Sequence, residues 1–260
     1  MTIALTRPTQ LPVSILRWVE LIAWPLILGL ALWLRLENIG IYTGSFDEGI
    51  RSEQMLLMAA GFRPFREIFA SQGPLLLDLL FPFYLLFGQS LEAIRLGVVV
   101  MSVVALLGAG WTARLVAGPM AGIATLALLS VSPAFLESSR LALAETPSLA
   151  PSIWAIAAAL RFQQSGLMRW AAAAGVLLAV GVLVKPMVVP VIATVGLLVL
   201  LRMPASSRGI GFIIVAAGGV SCLVVLALGP SGVYDDLAAY RGGASHKLGS
   251  DAAENFRLIS

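Results

Sequence analysis

The stretch SFDEGIRSEQMLLMAAG, residues 45–61, decides how the rest of the chain is interpreted. It lies within a polar segment, residues 42–74, that follows one apolar run and precedes a long series of others. Four of the fourteen acidic residues and three of the seventeen basic residues fall in this segment. A membrane protein rarely concentrates ionisable groups beside its spans without a use for them. We therefore interpret residues 42–74 as a functional loop.

The composition excludes an ordinary soluble domain. Hydrophobic residues make up 59% of the chain, charged residues only 12%, and the mean hydropathy is +0.93. These values predict an all-α, polytopic transmembrane protein in a lipid bilayer. The net charge of +3 does not indicate nucleic acid as a partner, because the basic residues are scattered singly between apolar runs.

Seven apolar runs are predicted to cross the membrane as helices. They cover residues 18–34, 93–113, 119–136, 143–160, 170–184, 187–201 and 209–228. An eighth run, residues 74–87, is short and contains Asp78 and Pro82. We expect it to form a re-entrant or juxtamembrane helix that does not cross.

The distribution of charge supports this count. With the amino terminus inside, the inner loops and helix ends carry seven arginines and one acid, Glu20. If residues 74–87 crossed, the basic loops 161–169 and 202–208 would face outward, against the positive-inside rule. The first outer loop, residues 35–92, and the other acidic loops then share the outer face.

The predicted domains are a membrane module, residues 1–229, and a polar segment, residues 230–260. We expect the second to begin an outer soluble part that this chain truncates, because it is too short to bury a core alone. The single cysteine, Cys222, forms no internal disulfide or cysteine-based metal site. The single histidine, His246, is predicted to be a solvated surface residue.

Asp47 and Glu48 are the first candidate catalytic residues. Ser45 and Glu48 have the spacing of a capping box, which gives Glu48 a structural interpretation beside a functional one. Asp47 lies in the first helical turn, where backbone N–H groups favour an ionised carboxylate. Such a carboxylate can accept a proton from an attacking group.

Further charged residues are predicted at the same depth on the outer face. Arg95, Arg140 and Lys185 are candidates for binding a lipid phosphate, and Glu145 is a third candidate catalytic acid. Ion pairing or snorkelling at the interface is the alternative for each residue. Lys185, directly before Pro186, is the strongest of the phosphate candidates.

A series of short motifs carries a family resemblance. They are Phe46-Asp47-Glu48-Gly49, the Gly61–Phe69 run, Gln72-Gly73-Pro74, Glu92-Ala93-Ile94-Arg95, Ser132-Pro133, Arg140 and Ala144-Glu145-Thr146-Pro147. In order and spacing they resemble the amino-terminal half of glycosyltransferase family 39, over roughly residues 15–200. That group includes protein O-mannosyltransferases and lipid A aminoarabinose transferases.

The resemblance implies a polyprenyl-phosphate-sugar-dependent glycosyltransferase that inverts the anomeric centre. The acidic pair of the first outer loop, which contains the family's catalytic base, corresponds to Asp47 and Glu48. The second acidic position, usually Asp in the family, corresponds to Glu145 here. The acceptor is a protein, lipid or glycan, and the location is an integral cell (inner) membrane protein with its active site on the outer face. No cofactor is assigned, and a divalent metal stays an open alternative.

Two other functions are compatible with the residues. One is a transporter or flippase, although the acids gather at one face rather than along a path through the bilayer. The other is a non-catalytic membrane scaffold derived from a transferase.

Overall fold

The computed structural model describes residues 13–41, 44–201 and 206–239. His246 and two of the seven arginines assigned to the inner side, Arg7 and Arg202, lie outside the described residues. Within the described ranges the regular secondary structure is helical, which confirms the predicted all-α class. The only β-type pairing there is an isolated bridge between Pro64 and Ile68.

Eleven α-helices follow one another along the described chain. They are α1 (Val13–Leu36), α2 (Phe46–Ala59), α3 (Leu76–Leu86), α4 (Leu91–Ala117), α5 (Pro119–Val131), α6 (Pro133–Ser138), α7 (Glu145–Ser165), α8 (Met168–Val184), α9 (Val189–Leu200), α10 (Ser206–Leu228) and α11 (Pro230–Tyr234). A 3₁₀ turn, Pro186–Val188, precedes α9, and a π-helical turn, Asp235–Ala239, follows α11.

Three helices are long and apolar enough to cross a membrane: Ile15–Leu36, Leu91–Ala117 and Ser207–Leu228. Only 6% of the first and third windows is buried within the protein, so their apolar surface is left for lipid. The chain is therefore an integral membrane protein. The count of seven spans stays a prediction. Helices α5, α8 and α9 are shorter than 18 residues, and α7 is not among the helices that are apolar enough to cross a membrane.

Contacts between helix ends show which ends lie together. Glu20, near the start of α1, pairs with Arg114 in the last turn of α4. Gln164, at the end of α7, donates to a carbonyl near the end of α4. Lys185, directly after α8, pairs with Glu145 at the start of α7. We call the end with Glu145 and Lys185 the loop end and the end with Glu20 and Arg114 the basic end.

The short helix α3 remains near the loop end. It has 11 residues, which at 1.5 Å per residue gives about 16 Å, roughly half of the hydrocarbon thickness. Just before it, the Leu75 N–H donates to the carbonyl of Leu183, near Lys185. After it the chain enters α4, whose first turns lie at the loop end through Arg95. At this length α3 alone is too short to span the hydrocarbon, and the non-crossing path of residues 74–87 stays a prediction.

Small residues allow the central helices to approach closely. α7 packs against both α4 and α8, and α8 packs against α10. The buried faces of α7 and α8 are rich in alanine, including Ala155, Ala159 and Ala174. A Cβ placed on Gly175 of α8 would lie 2.6 Å from the Ile213 carbonyl oxygen of α10. Membrane helices pack through such small residues, because in lipid the hydrophobic effect does not drive apolar side chains together and close packing must do so.

The described part of the 230–260 segment folds back onto the first loop. The carboxylate of Asp236 accepts a hydrogen bond from the Ala70 N–H at 2.9 Å. Arg66 donates to the Leu228 carbonyl at 3.0 Å, and Val233 is buried in the apolar cluster beneath the loop. Residues 230–239 therefore lie at the loop end.

Candidate active site

The site begins at the amino terminus of α2. The Ser45 hydroxyl accepts from the Glu48 N–H at 3.4 Å, and the Ser45 N–H donates to the Glu48 carboxylate at 3.2 Å. This reciprocal pair satisfies two backbone donors that a helix start leaves free. The capping box predicted from the sequence is confirmed.

The Glu48 carboxylate has further partners from distant parts of the chain. Arg95 donates to it twice, from Nε to Oε1 at 2.9 Å and from Nη2 to Oε2 at 2.8 Å. The Ala142 N–H donates to Oε1 at 2.6 Å. Both side chains of the ion pair are 1% exposed. Glu48 thus joins α2, α4 and the segment before α7.

These partners hold Glu48 in its ionised form. Burial acts to raise the pKa of Glu48, but the hydrogen bonds from Arg95 and Ala142 and the charge of Arg95 outweigh it, and the pKa lies below its usual value. A carboxylate that already accepts four hydrogen bonds has little capacity to take a proton from a substrate. These bonds hold the first loop in place, and the catalytic role predicted for Glu48 stays a prediction.

Arg95 is held by the same contacts, and its role as a phosphate ligand stays a prediction. Besides the two bonds to Glu48, its Nη1 donates to the Ile39 carbonyl at 2.6 Å, after the end of α1. The guanidinium donates its hydrogen bonds to the first loop. Its side chain is 1% exposed, so it does not reach an open surface that a lipid phosphate could approach. Charge spacing in the sequence could not show the partner of Arg95, because Glu48 is 47 positions away.

Asp47 differs from its neighbour in being exposed. Within the described residues its carboxylate has no hydrogen-bond partner. Successive residues of a helix point in directions about 100° apart, so Glu48 enters the protein while Asp47 remains at the surface. Its lone pairs stay available, as a proton acceptor requires.

Arg51 is a site residue that the sequence analysis missed. It is 3% exposed, and its Nη1 donates to Gln54 Oε1 at 3.4 Å. Its Nε has no hydrogen-bond partner among the described residues. Burial lowers the pKa of Arg51, while the charges of Asp47 and Glu145 act to raise it. The i, i+4 spacing of Asp47 and Arg51 was the available signal.

Glu145 and Lys185 form an ion pair with each other. Glu145 lies in the first turn of α7 and Lys185 caps the end of α8. The Glu145 side chain is 45% exposed and that of Lys185 18%, so solvent reaches the pair. The structure thus brings a predicted catalytic acid into contact with the strongest predicted phosphate ligand.

The Gln72-Gly73-Pro74 motif fixes the end of α8 that carries Lys185. A Cβ on Gly73 would lie 2.1 Å from the Leu183 carbonyl oxygen, too close for any other residue. The adjoining Leu75 N–H donates to that same carbonyl at 3.0 Å. A glycine is required here because the loop backbone touches the helix backbone.

Arg140 has a different partner from the other cations. Its Nη2 donates to the carbonyl of Glu37, just after α1. Thr146 nearby donates to the Ser138 carbonyl at 2.8 Å, which closes the turn between α6 and α7. Arg140 therefore fastens this turn to the end of α1.

An apolar cluster supports these loops from beneath. Its fully buried members are Met55, Leu76, Leu80, Ile94, Val98, Ala142 and Val184. They come from the helices and turns that carry the charged residues. The charged positions are thereby fixed by packing as well as by hydrogen bonds.

A cavity of about 300 Å³ also lies at the loop end. Its walls come from the first loop and from the segment after α10, and they include Arg66, Glu67, Asp235 and Asp236. No group of three or more His, Cys, Asp or Glu side chains in the described ranges has the arrangement of a metal site. No residue is therefore assigned as a metal ligand.

Comparison with known proteins identifies the family. Residues 71–228, more than half of the chain, match the family model described as dolichyl-phosphate-mannose-protein mannosyltransferase. No curated protein and no solved structure gives a significant match. The matched range includes Arg95, Arg140, Glu145 and Lys185, whereas Asp47 and Glu48 precede it. This confirms the resemblance seen in the sequence motifs: the chain belongs to the dolichyl-phosphate-mannose-protein mannosyltransferase family of membrane glycosyltransferases.

Proposed function

We propose that the protein transfers a sugar from a polyprenyl-phosphate donor to an acceptor hydroxyl, with inversion at the anomeric carbon, at the outer face of the cell (inner) membrane. Family membership supports the donor class, because dolichyl phosphate mannose is a polyprenyl-phosphate sugar. It also favours a transferase over a transporter or a scaffold.

One observation carries the proposal. At the loop end the exposed carboxylate of Asp47, which has no hydrogen-bond partner among the described residues, interacts electrostatically with the buried guanidinium of Arg51. The charge of Glu145 also acts on Arg51. Glu145 in turn holds Lys185. A proton acceptor and a cation able to meet a phosphate are therefore linked through one charge cluster.

In the proposed reaction Asp47 is the base. The acceptor oxygen forms a bond to the anomeric carbon as the bond from that carbon to the phosphate oxygen breaks. The acceptor proton passes to Asp47, and the electron pair leaves with the polyprenyl phosphate. Positioning of both reactants supplies much of the rate gain in such a displacement.

Lys185 is proposed to bind the donor phosphate. As a compact cation with three rotatable donors, it can exchange its contact with Glu145 for a phosphate oxygen. Glu145, partly exposed, is then free to orient the acceptor. Arg95 and Glu48 act through position only, because they hold the loop that presents Asp47.

The proposal is tested by incubating membranes from expressing cells, which also supply acceptors, with a panel of polyprenyl-phosphate sugars and measuring release of polyprenyl phosphate. We expect release with at least one sugar and a fall of roughly 10²–10⁴-fold in turnover for Asp47→Asn. Glu53→Gln is the matched control, since Glu53 is an exposed acid on the same helix. Full activity of folded Asp47→Asn would contradict the assignment of the base.

A further inference from the structure

The basic end contains a cavity that the proposed reaction does not use. Its volume is about 270 Å³, and it opens between α4, α7 and α8. Three tryptophans, one arginine and small or apolar residues line it: Trp111, Trp154, Ala157, Ala158, Arg161, Trp170, Ala173 and Leu177. A second cavity of about 230 Å³ lies where Glu20, Trp24 and Arg114 meet Trp111.

Trp111 is shared by the two cavities and contacts two cations. The guanidinium carbon of Arg114 lies 5.2 Å from its ring centroid, and that of Arg161 lies 5.4 Å away. Such cation–π contacts orient a guanidinium without using its N–H donors. Arg114 is already paired with Glu20 at 2.5 Å. Arg161 has no carboxylate within ion-pair distance among the described residues, so its donors remain available.

The cavity is far from the candidate active site. Arg161 follows Glu145 by 16 positions on the same helix, which corresponds to about 24 Å along the axis. Trp111 is likewise 16 positions beyond Arg95 on α4. A ligand head group bound here would not touch the loop end.

The chemistry of the lining indicates the ligand. Tryptophan prefers the boundary between hydrocarbon and head groups, which places this region at the membrane interface. The cavity walls are apolar and suit a hydrocarbon chain, while Arg161 at their edge suits a phosphate. Arg169, stacked on Trp170 with 5.6 Å between guanidinium carbon and ring centroid, adds positive charge.

We propose that this cavity binds an anionic membrane phospholipid, with its phosphate on Arg161 and the first part of an acyl chain among Trp111, Trp154 and Trp170. Basic pockets between transmembrane helices are typical sites for such lipids. Arg161 and Arg169 add positive charge beside the cavity, and the acid Glu20 is already paired with Arg114. This positive charge disfavours a purely apolar ligand.

Tryptophan quenching by brominated lipid tests the proposal. The protein, in a background with exposed Trp18 and Trp33 changed to Phe, is placed in phosphatidylcholine vesicles. Brominated phosphatidylglycerol should quench the remaining fluorescence at a lower mole fraction than brominated phosphatidylcholine does. Arg161→Gln should reduce this preference by about fivefold, as expected for one basic residue at a lipid surface.

Arg208→Gln is the matched control, because Arg208 is exposed on α10 and does not line the cavity. An equal loss of preference in Arg208→Gln, or no loss in folded Arg161→Gln, would overturn the proposal. If Arg161→Gln does not fold, competition in the Arg161-containing protein decides instead. Unlabelled phosphatidylglycerol should relieve the quenching, whereas relief by polyprenyl phosphate alone would assign the cavity to the donor chain and refute the proposal.

Discussion

The two ends of the helix bundle each hold an arginine–carboxylate pair, and the pairs differ in burial. At the loop end Glu48 and Arg95 are both 1% exposed, and additional bonds from Ala142 and to Ile39 complete their hydrogen bonding. At the basic end Arg114 is 33% and Glu20 14% exposed. The arginine–carboxylate pair is thus a buried ion pair at the loop end and a partly solvated ion pair at the basic end. The difference predicts very unequal consequences of breaking them.

The largest effect is expected for Glu48→Gln. The substitution keeps the helix cap but leaves the Arg95 charge buried without its partner, which typically costs about 3–5 kcal/mol. Thermal unfolding in detergent, followed by circular dichroism, measures this. Glu53→Gln on the same helix should change the unfolding temperature little, and an equally small change in Glu48→Gln would show that the loop-end pair contributes no more than a surface pair.

The pH dependence of stability sharpens the comparison. Because the hydrogen bonds and charge of Arg95 hold the folded-state pKa of Glu48 below its ordinary value, the stability that Glu48 contributes is present above that ordinary value and is lost as the pH falls through the folded pKa. Unfolding temperatures measured from pH 6 downward should therefore fall more steeply in the unmodified protein than in Glu48→Gln. Parallel curves would contradict the direction of this shift.

A smaller effect, on binding rather than folding, is expected at Lys185. Its contact with phosphate would exist before and during transfer, so Lys185→Gln should raise KM for the donor with little change in kcat. A charged hydrogen bond contributes about 1.5–3 kcal/mol, which corresponds to roughly 10- to 100-fold in donor affinity. Arg63→Gln, an exposed change in the first loop, is the control. Unchanged donor affinity would remove Lys185 from the site.

Gly73→Ala tests whether the loop must touch α8. The added methyl would overlap the Leu183 carbonyl, and relief requires a backbone shift that costs about 1–3 kcal/mol. We expect lower stability together with weaker donor binding, because the shift displaces Lys185. Gly49→Ala, where a Cβ meets nothing within 4 Å, should lower neither property.

The smallest effect is expected for Glu20→Gln at the basic end. A partly solvated pair contributes about 0–1 kcal/mol, and Arg114 keeps its contact with Trp111 after the substitution. Thermal unfolding should shift by at most a few degrees. A loss as large as that of Glu48→Gln would show that the two ends are equivalent, against the difference in exposure.

Whether an interaction could be predicted from the sequence depends on how far apart its residues are along the chain. The Ser45–Glu48 cap is local, so its spacing revealed it, and the apolar runs revealed the helical membrane class. Arg95 is 47 positions from Glu48 and Ala142 is 94 positions away, so no spacing could reveal those bonds. The assignment of Asp47 as the base remains a prediction.

Burial was the second limit. Arg51 reads as an ordinary polar residue of α2, and only the fold shows that it is 3% exposed beside two acids. The sequence also did not show where helices end. The run 187–201 was predicted to be one span, but a 3₁₀ turn at Pro186–Val188 shortens α9 to 12 residues.

The bonds of Glu48 also constrain the order of biogenesis. As the ribosome delivers the chain from its amino terminus, Glu48 emerges well before Arg95 and much earlier than Ala142. Until α4 is inserted and the turn before α7 is made, the carboxylate lacks its donors from Arg95 and Ala142. We therefore expect the loop end to assemble late, so that a ribosome-bound chain arrested before residue 142 still exposes α2 to protease.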